Sequence, residues 1–327
     1  MKFRTEIAPI DFPDKITLKD NVLTIGSCFA KTMGELFVHN RIECFVNPFG
    51  TIYDPLSMTR LLRMAMQDKE PDKSTMVESA GVWKNLLLHS SFSGLSQDEL
   101  GLKIRARLSQ VRKQLAETDW LMLTFGTAFV YTYKKTEQRV ANCQKIPAGN
   151  FTRNLASQAI LLEDFTEFLG ELRAFNPKVK ILLTVSPVRH IRDGLSENSV
   201  SKAVLRLLCN TLAHEHRAVY YYPAYEIVID DLRDYRFYKE DLIHPNRQAT
   251  NYIWKHFTKS IFDEELLEFI QQWQKVYASL NHRPFNPGSY EHQQFLQKLL
   301  QELEHLSSKL DLSVEIAQVK EAIIDAQ

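Results

Sequence analysis

Near its amino end the chain reads Val22-Leu23-Thr24-Ile25-Gly26-Ser27-Cys28-Phe29-Ala30, and this stretch decides the fold. Its first part is a run of β-branched and apolar residues, which predicts a short buried strand. The residues that follow place Met33, Leu36 and Phe37 on one face of a helix. A buried strand that turns directly into an amphipathic helix is typical of α/β proteins with a parallel sheet.

The same alternation of strand and helix continues along the chain. Further apolar strands are predicted at 42–46, 119–124, 179–185 and 219–222, and further helices at 95–117, 154–175, 199–216 and 246–257. We therefore predict an α/β domain over residues 1–260, with a parallel sheet covered on both faces. From residue 261 to 327 the composition changes to Glu, Gln, Lys and Leu at helical spacing, which predicts a helical extension.

The composition narrows the class of protein. Lys plus Arg and Asp plus Glu number 40 each, so the chain lacks the excess of positive charge that a nucleic-acid surface needs. It contains no apolar run long enough to span a bilayer, and its first residues do not form a secretory signal. Four cysteines without a C-x-x-C motif favour reduced thiols. We expect a cytoplasmic protein that neither spans a membrane nor binds nucleic acid.

Several polar turns are predicted to follow strands of the sheet. In parallel α/β sheets, ligands bind beyond the carboxyl ends of the strands. These turns are therefore expected to meet at one rim, although they are far apart in the sequence. They are Gly26-Ser27, Asn47 to Gly50, Gly126-Thr127 and Ser186-Pro187.

A second motif, Asp241-Leu242-Ile243-His244-Pro245, supplies a carboxylate and an imidazole three residues apart. With Ser27 as nucleophile, His244 as base and Asp241 orienting the imidazole, these residues form a serine-type catalytic triad. The backbone N–H groups of Cys28 and Gly50 are candidate oxyanion donors. Other interpretations stay open: Ser27 as a helix N-cap, the Asp241–His244 segment as a capping turn, and Cys28 as a second nucleophile or a small packing residue.

The motifs together resemble the GSCFA family, which belongs to the SGNH (GDSL-like) hydrolases. The resemblance covers roughly residues 20–260. It rests on Gly26 to Ala30, Asn47 to Thr51, Phe125 to Ala128, Asn142-Cys143, Thr184 to His190, Ser201-Lys202, Tyr222 to Glu226 and Asp241 to Asn246. It implies a three-layer α/β/α sandwich with a flavodoxin-like sheet. It also implies Ser27 as nucleophile, Gly50 in the oxyanion hole, and Asp241 with His244 completing the triad.

One motif departs from the wider SGNH pattern. That superfamily usually carries Gly-x-Asn-Asp in its third block, where the Asn side chain is an oxyanion donor. Here the block reads Gly126-Thr127-Ala128-Phe129. The Thr127 hydroxyl, a local backbone N–H and the more distant Asn142 are candidate replacements. Loss of one such donor costs on the order of 3–4 kcal/mol in the reaction barrier.

The remaining candidates have weaker signals. His190 is expected at the rim, either contacting substrate or making a structural hydrogen bond. Asn47, Gly126 and Asn246 are expected to contact substrate or support the catalytic groups. The two histidines of His214-Glu215-His216 point to different helix faces, which argues against a metal site. No phosphate-binding loop is present, and no cofactor is expected.

These observations predict a serine-type carboxylester hydrolase that forms an acyl-enzyme on Ser27. Its partner is expected to be a small-molecule acyl ester, such as an acetylated carbohydrate or a lipid. Two alternatives stay open: an acyltransferase with the same triad, and a non-catalytic SGNH-like binding module. The C-terminal helices are a candidate surface for homo-oligomer formation.

Overall fold

The computed structural model describes residues 4–69 and 72–323, which fall into two compact units, Met1–Ile261 and Phe262–Gln327. The strands are β1 (Val22–Gly26), β2 (Cys44–Val46), β3 (Met76–Ser79), β4 (Val82–Asn85), β5 (Ser93–Gly94), β6 (Trp120–Phe125), β7 (Phe129–Tyr133), β8 (Gln138–Val140), β9 (Phe151–Leu155), β10 (Lys180–Val185) and β11 (Val219–Tyr221). The helices are α1 (Cys28–His39), α2 (Pro55–Met66), α3 (Gln97–Glu117), α4 (Gln158–Phe175), α5 (Leu195–Glu215), the short α6 (Ala224–Glu226), α7 (Arg247–Ile261), α8 (Glu264–Leu280), α9 (Tyr290–Leu306) and α10 (Ser313–Ala322).

The larger unit is built on a parallel five-stranded sheet in the order β11-β10-β6-β1-β2. Counted along the chain within this sheet, the order is 2-1-3-4-5, which is the flavodoxin-like order. Register places Gly26 of β1 beside Thr124 of β6, and Thr184 of β10 on the other side of Thr124. The predicted α/β fold with a flavodoxin-like sheet is confirmed, and the turns after β1, β6 and β10 are neighbours.

Side chains alternate between the two faces of this sheet, as the strand period requires. Leu23 and Ile25 belong to the buried cluster that includes residues of α2, α3, α4 and α5. Val22 and Met122 are also buried but lie outside that cluster. Phe37 of α1 packs edge-on against aromatic rings of α7. Helices therefore flank the sheet, as the apolar strands predicted.

Two small antiparallel sheets, β3-β4-β5 and β8-β7-β9, add to the parallel core. The second was not anticipated from the sequence, and it shifts one predicted boundary. Residues 151–155 pair with β7 as strand β9, so the helix predicted from residue 154 begins only at Gln158. Ser157 caps that helix by accepting a hydrogen bond from the Ile160 N–H. Strand pairing with β7 overrides the helical pattern at this point.

The helices of the C-terminal unit bury apolar side chains. Asp263 caps α8 and Ser289 caps α9 through their side chains. One face of each helix is buried, with Phe269 and Trp273 on α8 and Leu299 and Leu303 on α9. None of the helices within residues 4–69 and 72–323 combines the length and apolar character needed to cross a lipid bilayer.

Candidate active site

The turn from β1 into α1 carries Ser27 and Cys28. Gly26 precedes it with a positive φ of 149°, and a Cβ atom on this residue would lie 2.3 Å from the carbonyl oxygen of Thr124. Only glycine allows the two strands to approach this closely. The Ser27 N–H donates to that same carbonyl at 3.2 Å. The neighbouring strand therefore fixes the backbone at which α1 begins.

The Ser27 hydroxyl is held by two hydrogen bonds. Its Oγ accepts from the Phe29 N–H at 3.2 Å, so Ser27 is the N-cap of α1. The same Oγ donates to Ser186 Oγ, 3.0 Å away at the end of β10. The side chain has an exposed fraction of 0%. In the described part of the chain, the Ser27 hydroxyl thus bonds to a second serine and makes no hydrogen bond to His244.

Cys28 is the first residue of α1. No backbone carbonyl among the described residues accepts its N–H, as is usual in the first turn of a helix. Burial raises the pKa of the Cys28 thiol, whereas the N–H groups of Cys28 and Phe29 and the charges of Lys202 and Lys239 act in the opposite direction. The Cys28 N–H is a candidate oxyanion donor, and the half-buried thiol lies within electrostatic reach of two lysines.

Asp241 and His244 form the hydrogen-bonded pair that the motif predicted. His244 Nδ1 lies 2.7 Å from Asp241 Oδ2, and Asp241 Oδ1 accepts from the N–H groups of Ile243 and His244 at 2.9 Å each. These backbone hydrogen bonds, with the imidazole contact next, lower the pKa of Asp241 to about 2. The exposed fractions of the His244 and Asp241 side chains are 38% and 43%. His244 Nε2 has no hydrogen-bond partner among the described residues.

Arg189 attaches the turn that carries this pair to the segment after β10. Its N–H donates to the Ile243 carbonyl at 3.4 Å, and Nη1 donates to the Leu242 carbonyl at 3.2 Å. The guanidinium also lies 4.2 Å from the centre of the Tyr238 ring. Leu242 adopts a φ of 57°, and its N–H closes the turn on Lys239. Asp241 and His244 are therefore tied to the chain that leaves the Ser186 end of the sheet.

His190 follows Arg189 and packs edge-on against the Tyr53 ring, 5.2 Å away. Its Nε2 is buried, lies 3.1 Å from where a Gly126 Cβ would be, and has no hydrogen-bond partner in the portion of the chain that the structure describes. Burial, followed by the charges of Lys202 and His244, lowers the pKa of His190 to about 4. The structure thus places a neutral imidazole beside Gly126, within electrostatic reach of His244.

The other predicted oxyanion donors already have acceptors within the protein. The Gly50 N–H donates to the Asn47 carbonyl at 2.8 Å, and a Cβ on Gly50 would lie 2.3 Å from His89 Cβ. Close packing against His89 therefore explains why residue 50 is a glycine, which the sequence analysis proposed as an oxyanion donor. The Thr127 N–H donates to the Tyr53 carbonyl at 3.2 Å, and its hydroxyl pairs with Ser201 Oγ at 3.0 Å.

The three predicted asparagines make structural hydrogen bonds. Asn47 Nδ2 donates to the carbonyls of Gly26 and Ser27 at 3.3 Å each, which links β2 to the turn before α1. Asn246 braces the Asp241–His244 segment through the Arg236 carbonyl and accepts from Ala249 N–H at the start of α7. The contacts of Asn142 lie with Leu86 and Gln144, in the connection after β8.

Helix α5 holds this rim together, and the sequence analysis assigned no role to its residues. Lys202 Nζ donates to the carbonyls of Gly126 and Ser186 at 2.7 Å each. Ser201 Oγ accepts from the Ala128 N–H at 2.8 Å, and Asn198 Oδ1 accepts from the His190 N–H at 2.9 Å. The sequence did contain one signal for this role: Lys202 lies three residues before Leu205, and therefore on the buried face of the predicted helix.

One cavity lies beside the Asp241–His244 pair, and a larger one lies away from it. One of about 140 Å³ is lined by Arg189, Tyr235 and Tyr238, next to the Asp241–His244 turn. A larger one of about 420 Å³ runs along α2 among Arg60, Arg63 and Arg139, and none of the predicted site residues lines it. Within residues 4–69 and 72–323, no group of three or more His, Cys, Asp or Glu side chains is arranged to hold a metal ion.

Comparison with known proteins identifies the family of this chain. No curated protein matches the chain. Among solved structures, a carbohydrate esterase family 3 protein from Talaromyces cellulolyticus is 13% identical to this chain, with a TM-score of 0.26. The match covers 49% of this chain and 65% of that protein, which is less than two thirds of its length. The profile of the GSCFA C-terminal domain matches residues 273–325, and that of the GSCFA family matches residues 21–257. The chain therefore belongs to the GSCFA family.

Proposed function

We propose that this protein hydrolyses carboxylic esters through a covalent acyl-enzyme, with Ser27 as nucleophile and the Asp241–His244 pair as its acid–base device. The substrate is a small acyl ester, such as an acetylated carbohydrate or a lipid. The Cys28 N–H is the oxyanion donor that the backbone leaves free. The observation that carries the proposal is the Asp241–His244 hydrogen bond of 2.7 Å in a turn tied by Arg189 to the Ser186 end of the sheet.

The chemistry follows from the free nitrogen of His244. The Ser27 hydroxyl leaves Ser186 and gives its proton to His244 Nε2 as its oxygen bonds to the ester carbonyl carbon. The C–O bond to the leaving alcohol then breaks, and the imidazolium returns the proton to that alcohol. Water repeats the sequence on the acyl-enzyme and releases the acid. Asp241 stabilises the imidazolium throughout.

A fluorophosphonate probe and a short p-nitrophenyl ester test this proposal. We expect the probe to label the native protein, and labelling and ester turnover to disappear in Ser27→Ala and to fall strongly in His244→Ala. His256→Ala is the matched control, because His256 bonds to Tyr222 and to the Ile7 carbonyl rather than to the rim. A native protein that neither reacts with the probe nor turns over ester would exclude the hydrolase and favour the binding module.

A second candidate nucleophile is the Cys28 thiol. The observation that favours it is the engagement of the buried Ser27 hydroxyl as N-cap and with Ser186. Burial raises the pKa of the thiol and outweighs the neighbouring N–H groups and lysine charges, so the thiol needs a base such as His244 to form the thiolate. Cys28→Ala separates the two: labelling that survives Ser27→Ala and vanishes in Cys28→Ala assigns the acyl group to the thiol, and the reverse pattern assigns it to Ser27.

A further inference from the structure

Lys202 is the most deeply buried charged group near the candidate site. Its exposed fraction is 1%, and within the described part of the chain no carboxylate pairs with it. Removing an ammonium group from water without a counter-ion is costly, and few folds keep one without a reason. Accordingly, burial lowers the pKa of Lys202 to about 7, although the charge of Cys28 acts in the opposite direction.

The contacts of Lys202 connect two turns that are separate in the sequence. Its Nζ donates to the Gly126 carbonyl after β6 and to the Ser186 carbonyl after β10, at 2.7 Å each. The hydroxyl of the same Ser186 receives the hydrogen bond of Ser27 at 3.0 Å. Ser186 therefore stands between the amine and the nucleophile: its carbonyl is held by Lys202 and its Oγ holds Ser27.

We propose that Lys202 is a positioning residue of the nucleophilic centre: by binding both carbonyls, it clamps together the turns that follow β6 and β10, and so holds the Ser186 hydroxyl in contact with Ser27. The clamp acts on Ser27, the nucleophile of the proposed function. Only the predicted effect of the clamp on reactivity rests on that function. A small displacement of a nucleophile can cost about 10²-fold in rate, so a clamp this close to Ser27 has a measurable consequence.

The charge state of Lys202 gives the clamp a pH dependence. A neutral amine keeps two N–H donors for the two carbonyls but loses its positive charge. The titratable groups that face it are Cys28 from α1, His190 from the segment after β10, and the Tyr225 ring 6.0 Å away. As the pH rises through about 7, the site loses a positive charge that would stabilise a developing oxyanion.

Two substitutions separate the donors from the charge. Lys202→Met removes both, and Lys202→Gln keeps two N–H donors without a charge. Lys180→Met, at the amino end of β10, is the matched control, because Lys180 lies against the Trp120 ring. We expect fluorophosphonate labelling to slow by about tenfold or more in Lys202→Met and less in Lys202→Gln. We expect the ratio of the native rate to the Lys202→Gln rate to fall between about pH 6 and 8, because the native protein loses the Lys202 charge in this range. The ratio is used because the titrations of other groups affect both proteins and cancel.

A double-mutant cycle with Ser186→Ala tests the path through Ser186. Lys202→Gln and Lys202→Met carry the same charge, so the rate difference between them reports on the donors alone. If Lys202 and Ser186 act on the same hydrogen bond, that difference is largely lost when both variants are made in Ser186→Ala. Effects that multiply, a rate ratio that is flat with pH, or native rates in both Lys202 variants would each overturn the proposal. Thermal melting of each variant identifies any that fails to fold, and Lys202→Gln is the milder replacement in that case.

Hydrogen exchange provides a readout that needs no activity. The N–H groups of Gly126 and Ser186 donate to Tyr53 and Phe125 carbonyls. We expect both turns to exchange faster in Lys202→Met and to remain protected in Lys180→Met. If the probe fails to label the native protein while this exchange effect is present, the clamp stands and the hydrolase proposal fails. If the turns stay protected in Lys202→Met, there is no clamp, whatever the enzyme does.

Discussion

At the scale of single residues, the backbone geometry of one turn keeps the Asp241 carboxyl group ionised. Two backbone N–H groups and one imidazole point at its carboxylate, and together they keep it ionised far below neutral pH. The carboxylate itself is half exposed, so burial plays little part. An ionised carboxylate in this position places the proton of a neutral His244 ring on Nδ1 and leaves Nε2 as the acceptor.

Asp241→Asn tests this role. The amide oxygen can still accept the two backbone hydrogen bonds, but the amide N–H₂ faces Nδ1 and moves the ring proton to Nε2. We expect ester turnover to fall by roughly 10³–10⁴-fold with little change in stability. Asp234→Asn is the control, since the Asp234 carboxylate contacts the backbone and side chain of the nearby Arg236 rather than His244. Turnover within an order of magnitude of the native value would exclude Asp241 as the orienting group.

At the scale of elements, helix starts do much of the positioning. Ser27 caps α1, and Asp54 caps α2 by accepting from the Ser57 N–H at 2.9 Å. Asp54 has an exposed fraction of 5%, and burial raises its pKa to about 6 from 3.8, against the opposing effect of the Ser57 hydrogen bonds. The residue before it, Tyr53, offers its carbonyl to the Gly126 and Thr127 N–H groups. The α2 cap therefore lies directly beside a rim turn.

Asp54 makes stability depend on pH with a definite sign. The folded protein binds the Asp54 proton more tightly than the unfolded chain, so this contribution is present below pH 3.8 and is lost as the pH rises through about 6. Asp54→Asn stays neutral and still caps the helix. We expect it to raise the free energy of unfolding near pH 8 by up to about 3 kcal/mol, and to change it little near pH 4.

Urea unfolding at both pH values measures this difference. Asp72→Asn is the control of opposite sign, because hydrogen bonds from Ser74 and Gln138 lower the pKa of Asp72. That variant should gain nothing near pH 8. Equal effects of Asp54→Asn at both pH values would show that folding does not raise the pKa of Asp54.

At the scale of the whole molecule, the order of strands decides which turns become neighbours. With β6 between β1 and β10, the turns that carry Ser27, Gly126 and Ser186 lie side by side. Helix α5 then contacts two of them through Lys202. In the unit that begins at Phe262, Leu303 of α9 is fully buried.

Leu303→Ala tests whether this buried side chain sets the stability of its own unit. We expect a loss of about 2–5 kcal/mol and faster hydrogen exchange in α8, α9 and α10, with the strands of the parallel sheet as internal reference. Gln301→Ala, an exposed position on the same helix, is the control. Equal acceleration of exchange in the sheet would mean that the two units unfold together.

The sequence by itself determined the local features of this protein. Strand and helix periodicity predicted the parallel α/β fold, and the spacing of Asp241 and His244 predicted a pair whose hydrogen bond forms within a single turn. The N-cap role of Ser27 was also open to prediction, because a cap involves only the next residues. These features depend on neighbours in the chain.

Only the tertiary structure decided which donors stay free and which groups meet. The Ser27–Ser186 hydrogen bond joins residues 159 positions apart, and the Thr127 N–H is taken by a carbonyl on another segment. In the sequence, Lys202 is one of several lysines in predicted helices. Its role follows from the two carbonyls that the folded sheet places beside its amine. Hydrogen-bond partners at this rim are set by strand order and close packing, which a pattern of apolar residues does not encode.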